Sequence, residues 1–134
     1  MEIVLDSNVL FRTLISTGNI LEILFNKDLM IIAPQKLKEE FLNNKKEILQ
    51  KSRLTEAEFE NLATALFKII TFIPIKEYAP YIEQATKLLK QHKKDEDFIA
   101  LCIARKTKLW TYEKLLIDIG FGINTEELAR LLGR

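Results

Sequence analysis

Three features of the sequence predict a three-layer α/β/α domain with a central parallel sheet of four to five strands. Short β-prone apolar runs recur along the chain, stretches of helical periodicity separate them, and no Asn-Gly or similar hairpin signal joins neighbouring runs. Strands that do not pair through tight turns need crossover helices. A sheet covered by such helices on both faces is buried, so its strands read as unbroken apolar runs rather than alternating ones.

The bounds agree with this class. A chain of 134 residues, 48% hydrophobic and 29% charged, predicts one ordinary globular domain over residues 1–134, with no linker, repeat or low-complexity stretch. A formal net charge of +1 excludes a protein that coats nucleic acid by bulk charge, but leaves room for a local basic patch. The single cysteine, Cys102, lies in an apolar helical run and has no disulfide partner, which favours a reducing compartment. No leader pattern opens the chain and no apolar segment reaches the ~20 residues of a bilayer span, so a soluble cytoplasmic protein is expected, with no membrane partner.

The first strand is Ile3-Val4-Leu5, which ends abruptly in Asp6-Ser7-Asn8. Val9, Leu10, Thr13 and Leu14, then Ile20, Leu21, Leu24 and Phe25, follow helical spacing on either side of a bend at Thr17-Gly18. Leu29 to Ile32 reads as the second strand, closed by Ala33-Pro34, with Pro34 suited to the first turn of the next helix. That helix runs to about Lys51 through Leu37, Phe41, Ile48 and Leu49. Thr55-x-x-Glu58 is a capping box, and Phe59, Leu62, Ala63, Leu66 and Phe67 form the stripe behind it. Ile69 to Ile75 is the third strand. A helix over Tyr78 to Gln91 turns Ile82, Ala85, Leu88 and Leu89 inward, and His92-Lys93-Lys94 is a basic hinge. Asp95 opens an apolar helix to about Lys106, and Leu109 to Thr111 is the fourth strand, with Trp110 in the core rather than a stacking platform for bases. A short helix over Tyr112 to Asp118, a strand over Phe121 to Ile123 and a helix capped at Asn124, with Leu128, Leu131 and Leu132 inward, complete the chain. Phe11, Leu14, Ile15 and Phe25 are left open between core and a homodimer interface.

Function in such a fold comes from the carboxyl ends of the strands. Asp6 ends the first strand, Asp95, Glu96 and Asp97 open a helix, Glu113 follows the fourth strand, and Glu39-Glu40 lie one turn into the helix after the second. Each has a plain structural alternative, because acids at helix starts serve as caps and favour the dipole. Carboxylates gathered on one rim repel each other, and a cation relieves that repulsion. Oxygen ligands without Cys or His suit Mg²⁺ or Mn²⁺ rather than zinc.

Four segments resemble the PIN domain, a metal-dependent ribonuclease fold found in VapC-like toxins of bacterial and archaeal toxin–antitoxin pairs. They are IVLDSNVL at Asp6, APQKLKEEF at Glu40 (with Glu39 the near alternative), KKDEDFIALCIA at Asp95 and LWTYEKLL at Glu113. They stand in the family's order on matching elements across nearly the whole chain. The last position departs from the pattern, where the family usually has Asp. Glu113 is one methylene longer, which moves the carboxylate by ~1.5 Å.

The resemblance implies hydrolysis of an RNA phosphodiester by a metal-activated water. Asp6, Glu40, Asp95 and Glu113 would form the catalytic set. Asp6 and Asp95 would hold the principal Mg²⁺ or Mn²⁺, and Asp97 could add a ligand. Ser7, Asn8 and Thr111 are placed to hydrogen-bond these carboxylates, Ser7 and Asn8 being equally suited to capping. Lys93 and Lys94 beside Asp95, and Lys36 and Lys38 on the neighbouring helix, are the candidates for RNA phosphates, with a solvated face as the alternative. An antitoxin partner is implied by the resemblance alone. A competing reading with the same fold is a degenerate module that binds RNA or protein without catalysis. A phospho-receiver domain also has a doubly wound sheet with acids at strand ends, but it needs an Asp after the third strand. Here Ile73-Pro74-Ile75 offers none.

Overall fold

The computed structural model describes residues 1–16, 18–90 and 93–134, without the side chain of residue 93. Thr17 of the expected bend, with Gln91, His92 and the Lys93 side chain of the basic hinge, therefore lie outside the described residues. Strands β1 (Glu2–Leu5), β2 (Met30–Pro34), β3 (Ile70–Ile73), β4 (Leu109–Trp110) and β5 (Gly122–Ile123) form one sheet in the order β3-β2-β1-β4-β5, and every pairing is parallel. The crossovers are α1 (Ser7–Ser16) and α2 (Ile20–Leu24), α3 (Lys36–Lys51) and α4 (Glu56–Ile69), α5 (Ile82–Leu89) and α6 (Glu96–Arg105), and α7 (Lys114–Asp118), while α8 (Thr125–Leu131) follows β5. Helix α1 packs on α3 and α4, and α6 packs on α5 and on β1, β2 and β4. The domain is the three-layer α/β/α sandwich that the alternation of runs predicts.

Burial explains the strand pattern. Val4, Leu5, Ala33, Leu109 and Trp110 are fully enclosed, because helices cover both faces. The Trp110 indole donates to Thr125 Oγ1 (2.9 Å), which satisfies its N–H in the core and ties β4 to the start of α8. The capping box at α4 forms as expected: Glu58 N–H donates to Thr55 Oγ1 (3.2 Å) and Thr55 N–H donates to Glu58 Oε1 (2.8 Å). Asn124 caps α8 by accepting from Glu127 N–H (2.8 Å).

Several boundaries differ from the expected ones. Pro34 ends β2 opposite Ile73 instead of opening α3, which starts after Gln35. Pairing of β2 with β1 stops at Ile32, so the proline nitrogen leaves no gap in that ladder. The third strand covers only Ile70–Ile73, because α4 runs on through Ile69 and Pro74 leads into a 3₁₀ turn, Ile75–Glu77. A second 3₁₀ turn, Ala79–Tyr81, carries Pro80, and regular helix begins only at Ile82. Helix α7 begins at Lys114, two residues later than expected. Leu88 and Leu131 are 41% and 59% exposed rather than inward. Of the residues left open, Leu14 belongs to the core, Phe11 and Ile15 are half-buried, and Phe25 is 45% exposed.

The strand order reverses at β1, whose neighbours are β2 on one side and β4 on the other. Connections leave these two strands in opposite directions, which opens a crevice at the carboxyl ends of β1 and β4, where doubly wound sheets bind ligands. Asp6 follows β1 and Thr111 follows β4. Close packing holds this corner, since a Cβ on Gly122 would lie 2.7 Å from Ile117 Cγ1, 2.8 Å from Ile117 N and 2.8 Å from Thr111 Cγ2. Only glycine lets β5 approach closely enough to support Thr111.

Candidate functional site

A cavity of about 190 Å³ opens at the β1/β4 crevice, lined by Asp6, Ser7, Asn8, Phe11, Glu40, Asn44, Lys94, Asp95 and Glu113. Asp6, Glu40, Asp95 and Glu113 thus meet from four separate segments: the end of β1, the second turn of α3, the start of α6 and the loop after β4.

The Asp6 backbone starts α1, as its carbonyl accepts from Val9 N–H (3.1 Å) and Leu10 N–H (3.4 Å). Its carboxylate points elsewhere. Oδ2 accepts from the buried Thr111 hydroxyl at 2.6 Å, and Oδ1 lies 3.5 Å from Ser7 Oγ. Thr111 Oγ1 accepts in turn from Glu113 N–H (3.0 Å), so one hydroxyl fixes Asp6 and the chain carrying Glu113. Glu113 Oε1 accepts from Asn8 Nδ2 (3.2 Å), with Lys94 Nζ 3.9 Å away.

Capping does not account for the remaining acids. Asp95 and Glu113 occupy the N-cap positions of α6 and α7, yet neither side chain makes a cap hydrogen bond. Asp95 is only 5% exposed, and its Oδ2 has no hydrogen-bond partner among the described residues. Leaving such an atom buried and unpaired is costly, and native structures rarely do so without a reason.

The electrostatics reflect this crowding. Burial, with the charges of Glu113, Asp6 and Glu40, pushes Asp95 up to about 7 against a partial offset from Lys94. Burial, with Glu113 and Glu40, pushes Asp6 up to about 6 against the hydrogen bonds from Thr111 and Ser7. Both shifts go the way desolvation and like charge drive a carboxylate. The donor set is all oxygen, which fits a hard divalent cation such as Mg²⁺ or Mn²⁺. Among the described residues, no three Asp, Glu, His or Cys side chains converge closely enough to enclose an ion alone. One or two carboxylates plus water is the usual Mg²⁺ arrangement, and the orphaned Asp95 Oδ2 offers one such ligand.

In comparison with known families, a model described as PIN domain matches residues 4–132. The chain belongs to the PIN domain family. None of the curated proteins compared with it matches. PIN domains are generally nucleases that use divalent metals.

Not every expected residue joins this PIN domain pocket. Asp97 faces a neighbouring cavity of about 300 Å³ with Gln35, Lys36, Glu39, Ile75 and Tyr78. There it accepts from the buried Tyr78 hydroxyl (2.7 Å) and lies 3.9 Å from Lys36 Nζ. Burial and Asp97 together push the Tyr78 phenol far above its ordinary range. Glu39, the alternative to Glu40, lines that second cavity. Lys36 Nζ donates to the Lys94 carbonyl (2.8 Å), and Lys38 sits over the Phe72 ring, 4.6 Å from its centroid. Of the expected phosphate contacts with described side chains, Lys94 alone lines the acidic pocket. Phe11, expected in the core or at an interface, lines it as well, and so does Asn44, which no sequence motif marked. Asn44 stands one helical turn after Glu40, where its amide donates to the Glu40 carbonyl (2.7 Å), and that i,i+4 spacing was the available signal.

Proposed function

We propose that this PIN domain is a Mg²⁺- or Mn²⁺-dependent endoribonuclease. Carrying the reading is the pair of buried carboxylates, Asp6 and Asp95, gathered with Glu40 and Glu113 at one crevice, where burial and like charge raise both above the ordinary range. Asp6 and Asp95 would hold the ion, directly or through water, and when bound there it would supply Lewis acidity that lowers the pKa of water and offsets charge on the phosphoryl oxygens.

The chain's own residues do the rest. Thr111 locks the Asp6 carboxylate by its 2.6 Å hydrogen bond and excludes bulk water from that side. Asn8 occupies Glu113 Oε1, leaving Oε2 to orient the attacking water and take its proton. Glu40 completes the acidic ring. Lys94, 74% exposed at the rim, meets an RNA phosphate. The reading extends to a toxin restrained by an antitoxin and to a homodimer, with Phe11 and Ile15 on α1 and Phe25 just after α2 offering apolar surface.

A second reading, a degenerate module without catalysis, draws on Glu113 in place of Asp and on its contacts with Asn8 and Lys94. The two part on one experiment. Mixed RNAs incubated with the protein are expected to be cut in Mn²⁺ and Mg²⁺ and to stay intact in EDTA. Glu113→Asp should retain metal-dependent cleavage within about 100-fold of wild type, since it keeps the charge and donor chemistry while drawing the carboxylate back by ~1.5 Å. No cleavage in either metal favours the degenerate module, and a Glu113→Gln variant that cuts like wild type removes Glu113 from the proposed set.

A further inference from the structure

We infer that Lys36 is a positioning residue that sets Asp95 in place to receive the divalent ion, and not a contact for RNA phosphate. The inference rests on the metal-dependent reading above. Lys36 is the first residue of α3, where a cation opposes the helix dipole, and its side chain is only 31% exposed. Such a lysine needs a local partner. It has one in the Lys94 carbonyl, to which Nζ donates at 2.8 Å, with Asp97 3.9 Å away.

Both contacts bracket Asp95. The carboxylate of Asp95 has an oxygen without a partner, so it is not steered by hydrogen bonds of its own to that atom. Its flanking residues are steered instead. Lys36 holds Lys94, Thr86 Oγ1 donates to Glu96 Oε2 (2.7 Å), and Tyr78 donates to Asp97 Oδ2 (2.7 Å). Among these, Lys36 is the member that reaches across from α3, the helix that carries Glu40 one turn later on the same side. It thereby couples the two segments that bring Asp95 and Glu40 into one cavity. With Nζ committed to a carbonyl, Lys36 has a structural task that a free phosphate-binding lysine lacks.

The test is Mn²⁺ binding by calorimetry to the metal-free full chain, for wild type, Lys36→Met and Lys36→Arg. Loss of a positive charge near an acidic pocket, taken alone, tightens cation binding. Loss of a positioning contact weakens it, by about tenfold for groups that orient metal ligands. Lys36→Met is therefore expected to bind Mn²⁺ about tenfold more weakly, and Lys36→Arg, which can still donate to the carbonyl, to bind like wild type. Thermal melts check that the variants fold, and Lys36→Gln replaces the methionine variant should that one unfold. Lys36→Met binding as tightly as wild type or tighter overturns the inference, as does a change confined to the KM for RNA and its salt dependence. Wild type that binds no Mn²⁺ overturns the metal-dependent reading itself, and this inference with it.

Discussion

Asp95→Asn is expected to lower RNA cleavage about 1000-fold while making the metal-free protein more stable than wild type at pH 8. The two effects have one cause. At pH 8 the Asp95 carboxylate is charged, nearly enclosed, and close to Asp6, Glu40 and Glu113, with one oxygen unpartnered. An amide of the same shape removes the buried charge and its repulsion. Under the proposed mechanism it also removes an anionic ligand from the pocket, and metal assistance contributes several kcal/mol to a phosphoryl transfer, where each ~1.4 kcal/mol is tenfold in rate. Initial rates on RNA in Mn²⁺, together with urea melts in EDTA at pH 8, read both effects. A variant that is inactive but less stable than wild type would mean that Asp95 serves the fold rather than the ion.

The second large effect is on pH dependence. Folding raises Asp95 to about 7 and Asp6 to about 6 from an ordinary value of 3.8, so between about pH 4 and pH 7 the native protein binds protons that the unfolded chain releases. Stability from these groups is therefore full below the unfolded value and is lost as pH rises through the folded ones. Glu47 and Glu58 act oppositely: Lys51 and the Thr55 backbone hold them below their ordinary value of 4.5, so their contribution is full above that value and is lost as pH falls below it. The metal-free protein should melt highest near pH 5 and about 5 °C or more lower at pH 8, given typical unfolding entropies for a domain of this size. Saturating Mn²⁺ should raise the melting temperature at pH 8 and do little at pH 5, where protons occupy the same carboxylates. A flat melting profile from pH 5 to pH 8 in EDTA would show that Asp6 and Asp95 are not held in the crowded, buried state described.

The fold was legible because its strands are buried on both faces, and continuous apolar runs such as Ile3-Val4-Leu5 report that directly. Local hydrogen-bonding signals were equally readable, as Thr55-Glu58 and Asn124 form the caps that their side chains suggest. Boundaries failed where competing local rules met. Pro34 suits both a strand end and a helix start, and register with Ile73 decided it. Tyr78 to Tyr81 has helical apolar spacing, but Pro80 confines that segment to a 3₁₀ turn. For the site, spacing in sequence located the segments but not the rotamers. Asp95 and Asp97 are adjacent candidates two residues apart, and successive positions on a helix start face different cavities. Tyr78, distant in sequence, is what draws Asp97 away. Lys36 and Lys38 likewise looked equivalent beside the acids, yet one bonds a carbonyl near Asp95 and the other covers Phe72. Asp6 could have been a cap or a ligand, and the Thr111 hydroxyl, 105 residues away in the chain, turns its carboxylate toward the crevice.

In the proposed reaction a divalent ion held by these carboxylates drives RNA hydrolysis. Its most direct test is a Mn²⁺ titration of RNA cleavage by wild type and Asp6→Asn, with EDTA as the zero point. Cleavage by wild type should rise with Mn²⁺ from no activity in EDTA, and Asp6→Asn should stay at least about 100-fold lower at every concentration. Cleavage that persists in EDTA, or that is equal in the two proteins, would show that RNA hydrolysis does not depend on an ion held at Asp6.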